Sequence, residues 1–202
     1  MIDKETRINK ETNLKTYFHD TIRDISSEKN VDIKDHTLWY LTNLLTRYSR
    51  SERFFDFRPE SGTFTPLAEY YKQALDADSD HERRLHLQRL GDVAIFVAGL
   101  FAPALNRSVV GVNYYMSMGE TAYSYLADSG GATARDKALT EIFDDLARRF
   151  GRFVSILSEI NGPGPEVAAG KWDKWFEQLE PVSAERQFEP QHSLAHSSVI
   201  VH

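Results

Sequence analysis

The sequence predicts an all-α fold, a compact bundle of six or seven helices around a buried central helix, and three observations predict it. Apolar residues recur at three- and four-residue steps along nearly the whole chain, the spacing of one helix face. An almost uninterrupted apolar stretch, Val93 to Leu105, lies mid-chain, starts directly after Asp92 and contains Pro103. It is shorter than the roughly 20 apolar residues that cross a bilayer, so it reads as the core of a water-soluble bundle. No segment alternates strictly between apolar and polar residues as a half-buried strand does.

The first helix starts from Thr12 as N-cap and carries Leu14, Phe18, Ile22 and Ile25 on one stripe, with Tyr17 and Thr21 beside them. A second starts near Asp32 or Asp35, both good capping residues, and aligns Leu38, Leu41, Leu45 and Tyr48, flanked by Trp39 and Leu44. Ser51 to Thr65 holds Phe54, Phe55, Phe57 and Phe64 but also Pro59 and Gly62. Those two residues break periodicity and predict a loop pinned by its aromatic rings. Pro66 then suits a first helical position, where its missing amide hydrogen costs nothing. Leu67, Tyr70, Tyr71, Ala74 and Leu75 follow it.

Asp78, Ser79 and Asp80 predict a new cap with an acidic first turn. The central helix runs from about Asp80 to Ala102 and stops at Pro103, and Asn113 caps the next, with Tyr115, Met118, Gly119, Ala122 and Leu126 inward. After the flexible joint Ser129-Gly130-Gly131, the spacing predicts one long helix from Thr133 to Ile160, with an unbroken stripe from Leu139 to Ile160. Asn161 to Pro165 ends it, and a short amphipathic piece carries Trp172, Trp175, Phe176 and Leu179. The expected organisation is an N-terminal tail over 1–11, one helical domain over 12–180, and a polar, disordered tail over 181–202.

Composition narrows function by exclusion. A formal net charge of −6 over 202 residues argues against general affinity for phosphate backbones, so no nucleic-acid partner is expected, and no membrane partner either. The chain has no cysteine, which removes disulfides, thiolate metal sites and Cys nucleophiles. The N-terminus lacks the apolar core of a secretory signal, and the expected compartment is the cytoplasm. No phosphate-cradling Gly-rich loop and no nucleophile elbow appears. No catalytic residue and no cofactor is predicted.

Several residues still deserve a chemical reading. His81 and His86 are five apart, which sets their rings about 140° apart on a helix, so the four-residue spacing of a zinc-protease helix fails. Glu82 precedes His86 by four residues, where a di-iron carboxylate bundle needs three, and no metal site is predicted. His86 shares a face with Leu90, Val93 and Val97, which points its ring inward as a hydrogen-bonded core residue or, less simply, as a haem or metal ligand. Asp92 opens the apolar run, where an unpartnered carboxylate is costly. Arg89 or an arginine from another helix supplies the partner, and the functional alternative is a perturbed acid in a pocket.

Gly91, Gly99 and Gly119 sit inside predicted helices at a cost of about 1 kcal/mol each. Close approach of another helix backbone explains them best, with Gly91 and Gly99 nearly on one face; a flat cofactor slot is the alternative. Tyr114, Tyr115, Tyr123 and Tyr125, with Trp39 and Tyr40, supply rings whose hydroxyls need partners when buried. Arg47, Arg50, Arg53 and Arg58 form one basic cluster and Arg148, Arg149 and Arg152 another, read as solvated faces or anion sites. His192 and His196 fall in the polar tail and read as incidental.

The segments His86 to Asp92, Phe96 to Phe101, Tyr114 to Gly119 with Ala122 and Tyr123, and Tyr40 to Leu45 together resemble a family of uncharacterised bacterial cytosolic proteins of about this length. The likeness covers most of the first 180 residues. It implies bacterial origin and a helical fold, and it transfers no activity and no catalytic residue.

Two functions follow as expectations. One is a non-enzymatic protein, regulatory in the fuller form of this reading, acting through helix-face contacts with a protein partner or as a homo-oligomer, motivated by Phe54, Phe55, Phe57, Trp172, Trp175 and Phe176 as an aromatic patch. The other is a small-ligand or cofactor-binding bundle with a pocket lined by His86, Asp92, Tyr114, Tyr115 and Glu120. An enzyme using an Asp or Glu with a His has no positive motif.

Overall fold

A computed structural model describes residues 4–49, 67–105, 111–130 and 133–160, and these form seven helices with no strand. The all-α bundle expected from periodicity is what the chain adopts. No helix among the described residues is long and apolar enough to cross a membrane. The aromatic loop at 51–65, the piece carrying Trp172, Trp175, Phe176 and Leu179, the polar tail with His192 and His196, and Arg50, Arg53 and Arg58 lie outside the described residues.

Helix α1 spans Lys4–Glu28 and so starts nine residues before the position that Thr12 as N-cap would set. Its first turns hold Lys4, Glu5, Arg7, Lys10 and Glu11, which favour helix without forming an apolar stripe, so the stripe alone places the start too late. Phe18, Ile22 and Ile25 are buried as expected. The helix ends at Asn30, which takes a left-handed φ of 53°. Asn30 N–H then donates to Ser27 O at 3.1 Å and Val31 N–H to Ser26 O at 2.8 Å, the paired bonds that close a helix C-terminus around such a residue.

Helix α2 spans Asp35–Ser49 and α3 spans Leu67–Leu75. Leu38, Leu41, Leu44, Leu45 and Tyr48 are buried on α2, while Trp39 stays out. Three buried threonines keep the apolar face of α2 satisfied. Thr42 and Thr46 donate to Leu38 O and Thr42 O at 2.8 and 2.7 Å, and Thr37 donates to Asp145 at 2.8 Å. On α3, Leu67, Tyr70 and Ala74 face inward and Leu75 is exposed.

Helix α4 spans Asp80–Leu105. Ser79 caps it by accepting from Glu82 N–H at 3.2 Å, while the Glu82 carboxylate accepts from Asp78 N–H at 3.2 Å, a capping box shifted by one residue. Leu90, Ala94, Ile95, Phe96, Val97 and Ala98 are buried, and α4 packs on α2, α3, α5 and α7. It is the central helix. It does not stop before Pro103; instead the backbone leaves helical geometry at Phe101 (φ −123°, ψ 16°) and resumes to Leu105. A proline cannot supply the amide an unbroken helix needs, and two residues upstream is where the chain absorbs that loss.

Helix α5 spans Val112–Asp128. Gly111, not Asn113, is its N-cap, with no side chain to accept the first amides. Gly119, Ala122, Tyr123 and Leu126 are buried, whereas Tyr115 and Met118 are half-buried.

The long helix expected over 133–160 is two helices, α6 (Ala134–Arg148) and α7 (Phe150–Leu157), broken at Arg149 (φ −121°, ψ 21°). Thr133 caps α6 in a reciprocal box with Asp136. The stripe steps from Leu146 to Phe150 across the break, a four-residue step that leaves periodicity intact. What sets the break is polar: Arg149 Nε donates to Asp145 at 2.7 Å and its Nη1 to Asp32 O at 2.6 Å, tying the joint to the start of α2.

The helix glycines make room for side chains rather than for a neighbouring backbone. A Cβ at Gly99 would sit 2.6 Å from Leu157 Cβ on α7, and one at Gly119 would sit 2.3 Å from the Phe150 ring and 3.0 Å from Ala94 Cβ. Gly91 meets α5 and Gly99 meets α7, so the two do not share one crossing.

Candidate functional site

Asp92 is the chemical centre of the interior. Helix α4 carries it inward because Leu90, Gly91, Ala94 and Ile95 around it are all buried, and the carboxylate is only 2% exposed. Tyr40 and Arg47 reach it from α2. They lie seven residues apart, two turns on one face. Tyr123 reaches it from α5, and the reason lies next door at Gly91, where a Cβ would stand 2.7 Å from the Tyr123 ring. Without that notch the phenol could not lie along α4.

The geometry closes around both carboxylate oxygens. Oδ1 accepts from the Tyr40 hydroxyl at 2.6 Å and from the Tyr123 hydroxyl at 2.9 Å, and Oδ2 accepts from Arg47 Nη2 at 2.6 Å. Gln88 Nε2 donates to the Tyr40 oxygen at 3.1 Å. Phe143 of α6 backs the cluster, stacked on Tyr123 at 5.6 Å and edge-on to Tyr40 at 5.8 Å. Arg47 lies over the Tyr48 ring at 4.8 Å, and its side chain is 56% exposed. Arg89, the partner suggested by its position one turn before Asp92, instead places its guanidinium over the Tyr70 ring at 5.3 Å.

Burial dominates the protonation equilibria here. It pushes the Asp92 carboxyl above its ordinary value, against the opposing pull of Arg47 and of the Tyr40 and Tyr123 hydroxyls. It also raises Tyr40, Tyr48 and Tyr123, and the Asp92 charge adds to each. Burial is the largest single influence on Arg47 and lowers it, but attraction to Asp92, Tyr48 and Tyr40 together leaves it raised. The cluster is therefore an acceptor-rich centre surrounded by donors that hold their protons. Such an arrangement fastens α2, α4 and α5 to one another; it offers no open carboxylate to a solute.

Of the five residues proposed as pocket lining, His86 and Asp92 sit on α4 and Tyr114, Tyr115 and Glu120 on α5. Among the described residues, the hydrogen bonds of Asp92 go to Tyr40, Arg47 and Tyr123, and none to the other four. His86 stands six residues earlier on α4, its side chain 27% exposed, with Nε2 3.8 Å from Glu82 on the preceding turn. It lies at the rim of the core rather than inside it. Tyr114 and Tyr115 pack edge to face at 5.6 Å near the start of α5. Burial raises Tyr114, against a smaller opposing pull from the Ala68 backbone in the first turn of α3, and it pushes Tyr115 up to about 12. Glu120 is half-buried and its carboxyl is raised by burial. Among the described residues, no group of three or more His, Asp or Glu side chains could hold a metal ion.

Sequence reasoning found Asp92 and expected Arg89 or an arginine from another helix as its partner; the arginine is Arg47 of α2, and the two tyrosines were missed. The only signal was partial: Tyr40 and Arg47 lie seven residues apart and so share a face of α2, but that spacing does not say which element the face meets. A second junction was missed altogether. Asp145 is buried on α6 and holds Thr37 of α2 and Arg149 at the α6–α7 break. Of the second basic cluster, Arg148 pairs with Asp144 at 2.7 Å, Arg149 belongs to this junction, and Arg152 is exposed. Comparison of the chain with protein-family models, with curated proteins and with solved structures finds no match.

Proposed function

We propose that this chain is a non-enzymatic cytoplasmic protein that works through contacts between its helix faces and a protein partner. The observation that carries this is the saturation of the interior acids: Asp92 and Asp145, the buried carboxylates among the described residues, are both spent on joining helices. The described surface, by contrast, presents large apolar side chains at Trp39, Leu75 and Leu85. A cysteine-free chain needs no oxidising compartment, which supports the cytoplasmic placement. The alternative ligand pocket near His86 and Tyr115 has less support, since His86 stands part-exposed beside Glu82 and Asp92 is engaged by Tyr40, Arg47 and Tyr123.

Native mass spectrometry of the full chain purified from its source cells, with chemical crosslinking before lysis, tests the proposal. The expected result is a bare polypeptide mass together with a discrete crosslinked protein species. A monomer that carries excess small-molecule mass and yields no crosslinked protein overturns it in favour of ligand binding.

A further inference from the structure

The outer side of α1 and α2 carries a built aromatic platform. Trp39 is 47% exposed and its ring lies 4.4 Å from the His19 imidazole at an interplanar angle of 32°. His19 itself is buried and tied at both nitrogens: Nδ1 lies 3.1 Å from the Asp20 carboxylate and Nε2 lies 3.3 Å from Arg23 Nη2. The Nδ1–H tautomer satisfies both contacts, donating to Asp20 and accepting from Arg23. The indole therefore rests on a fixed base. An aromatic ring held in place loses little freedom on association, which is what makes Trp a frequent anchor of protein contacts.

The rim of the platform decides what it fits. Asp20 and Arg23 lie one turn apart on α1 and are both exposed, so one edge of the same imidazole brings together an acid and a base. A surface recognised by a basic or an acidic partner carries one sign of charge; a rim with both signs is complementary to its own copy turned through a twofold axis. Helix α1 packs mainly on α2 and α7, at the edge of the bundle, where a second copy can approach.

We infer that this face is an isologous contact between two copies of the chain, with Trp39 packed near the axis and Asp20 and Arg23 of each copy paired with Arg23 and Asp20 of the other. This rests on the protein-contact function proposed above and names the partner as the chain itself.

Sedimentation equilibrium of the full-length protein over a wide concentration range tests it, with circular dichroism as a check that each variant is folded. The wild type is expected to dimerise, and Trp39→Ala to weaken the dimer by about thirtyfold, the scale of a hot-spot anchor. Asp20→Arg alone and Arg23→Asp alone each weaken it by facing like charges across the axis, and the double variant Asp20→Arg/Arg23→Asp restores it. Restoration is the decisive result, since a merely damaged surface does not recover. A wild type that stays monomeric, or a dimer indifferent to all four variants, overturns the inference. A photocrosslinker at position 39 then separates the two levels: a monomer that crosslinks to a different protein overturns self-association and leaves the proposed function standing, whereas a monomer that crosslinks to nothing removes both.

Discussion

At the scale of single residues, Asp92 decides the character of the interior. Among the described residues its carboxylate accepts from Tyr40, Arg47 and Tyr123, and the bond from Tyr123 is wholly buried. Asp92→Ala leaves the Tyr123 hydroxyl without an acceptor and opens space. We expect a loss of about 3 kcal/mol, on the scale of breaking a buried pair by removing one partner. Adding Tyr123→Phe to that variant removes the orphaned hydroxyl and should recover about 1 kcal/mol. Urea unfolding measures both, and a double variant no more stable than Asp92→Ala would show that the hydroxyl is not the source of the loss.

The pH dependence of the same residue has a definite sign. Burial raises the folded carboxyl above the ordinary 3.8, so the folded state takes up this proton before the unfolded chain does. The stabilisation that comes with protonation is fully present below the ordinary value and is lost as pH rises through the folded one. Asp92→Asn removes that dependence. The wild type should therefore gain stability relative to Asp92→Asn between neutral pH and about 4, read from urea midpoints at several pH values. A constant difference across that window counts against a raised carboxyl.

At the scale of helices, two glycines make opposite predictions. Gly119→Ala gains about 1 kcal/mol of helix propensity, but its Cβ would fall 2.3 Å from the buried Phe150 ring and 3.0 Å from Ala94 Cβ. Neither neighbour has room to give, and overpacking of about 1–3 kcal/mol outweighs the gain. Gly111→Ser meets nothing within 4 Å and sits in extended backbone at an uncapped N-terminus. A serine oxygen there can accept from the first turn of α5 and should stabilise by about 0.5 kcal/mol. Thermal unfolding should move down for the first and up for the second.

The same elements show what was readable in advance. Leu38, Leu41, Leu45 and Tyr48 were legible as a face because a soluble helix must bury one stripe, and all four are buried. The break at Arg149 was not legible. A helix that bends between two apolar residues four apart keeps its stripe, and the cause is a long-range bond from Arg149 to Asp32 O. The start of α1 was misplaced for the converse reason: a helix turn without an apolar face leaves no periodic mark.

For the molecule as a whole, α4 packs among the described helices on four others, α2, α3, α5 and α7, while α1 packs mainly on α2 and α7. Native-state hydrogen exchange should follow that arrangement, slowest at Ala94 to Ala98 and faster along α1, because amides released only by global unfolding lie where apolar contacts are densest. Equal protection in α1 and α4 would contradict a central α4.

The helical class, the buried mid-chain segment and the identity of Asp92 as an acid needing a partner were determined by the sequence alone, because periodicity and the cost of burying charge are local properties of the chain. Which partners Asp92 takes, where the helix after Thr133 breaks and that Trp39 remains outside were decided only by tertiary structure. Those outcomes depend on residues tens of positions apart meeting at fixed distances, Tyr40 and Arg47 with Asp92, Arg149 with Asp32. No spacing along one helix encodes a bond to another.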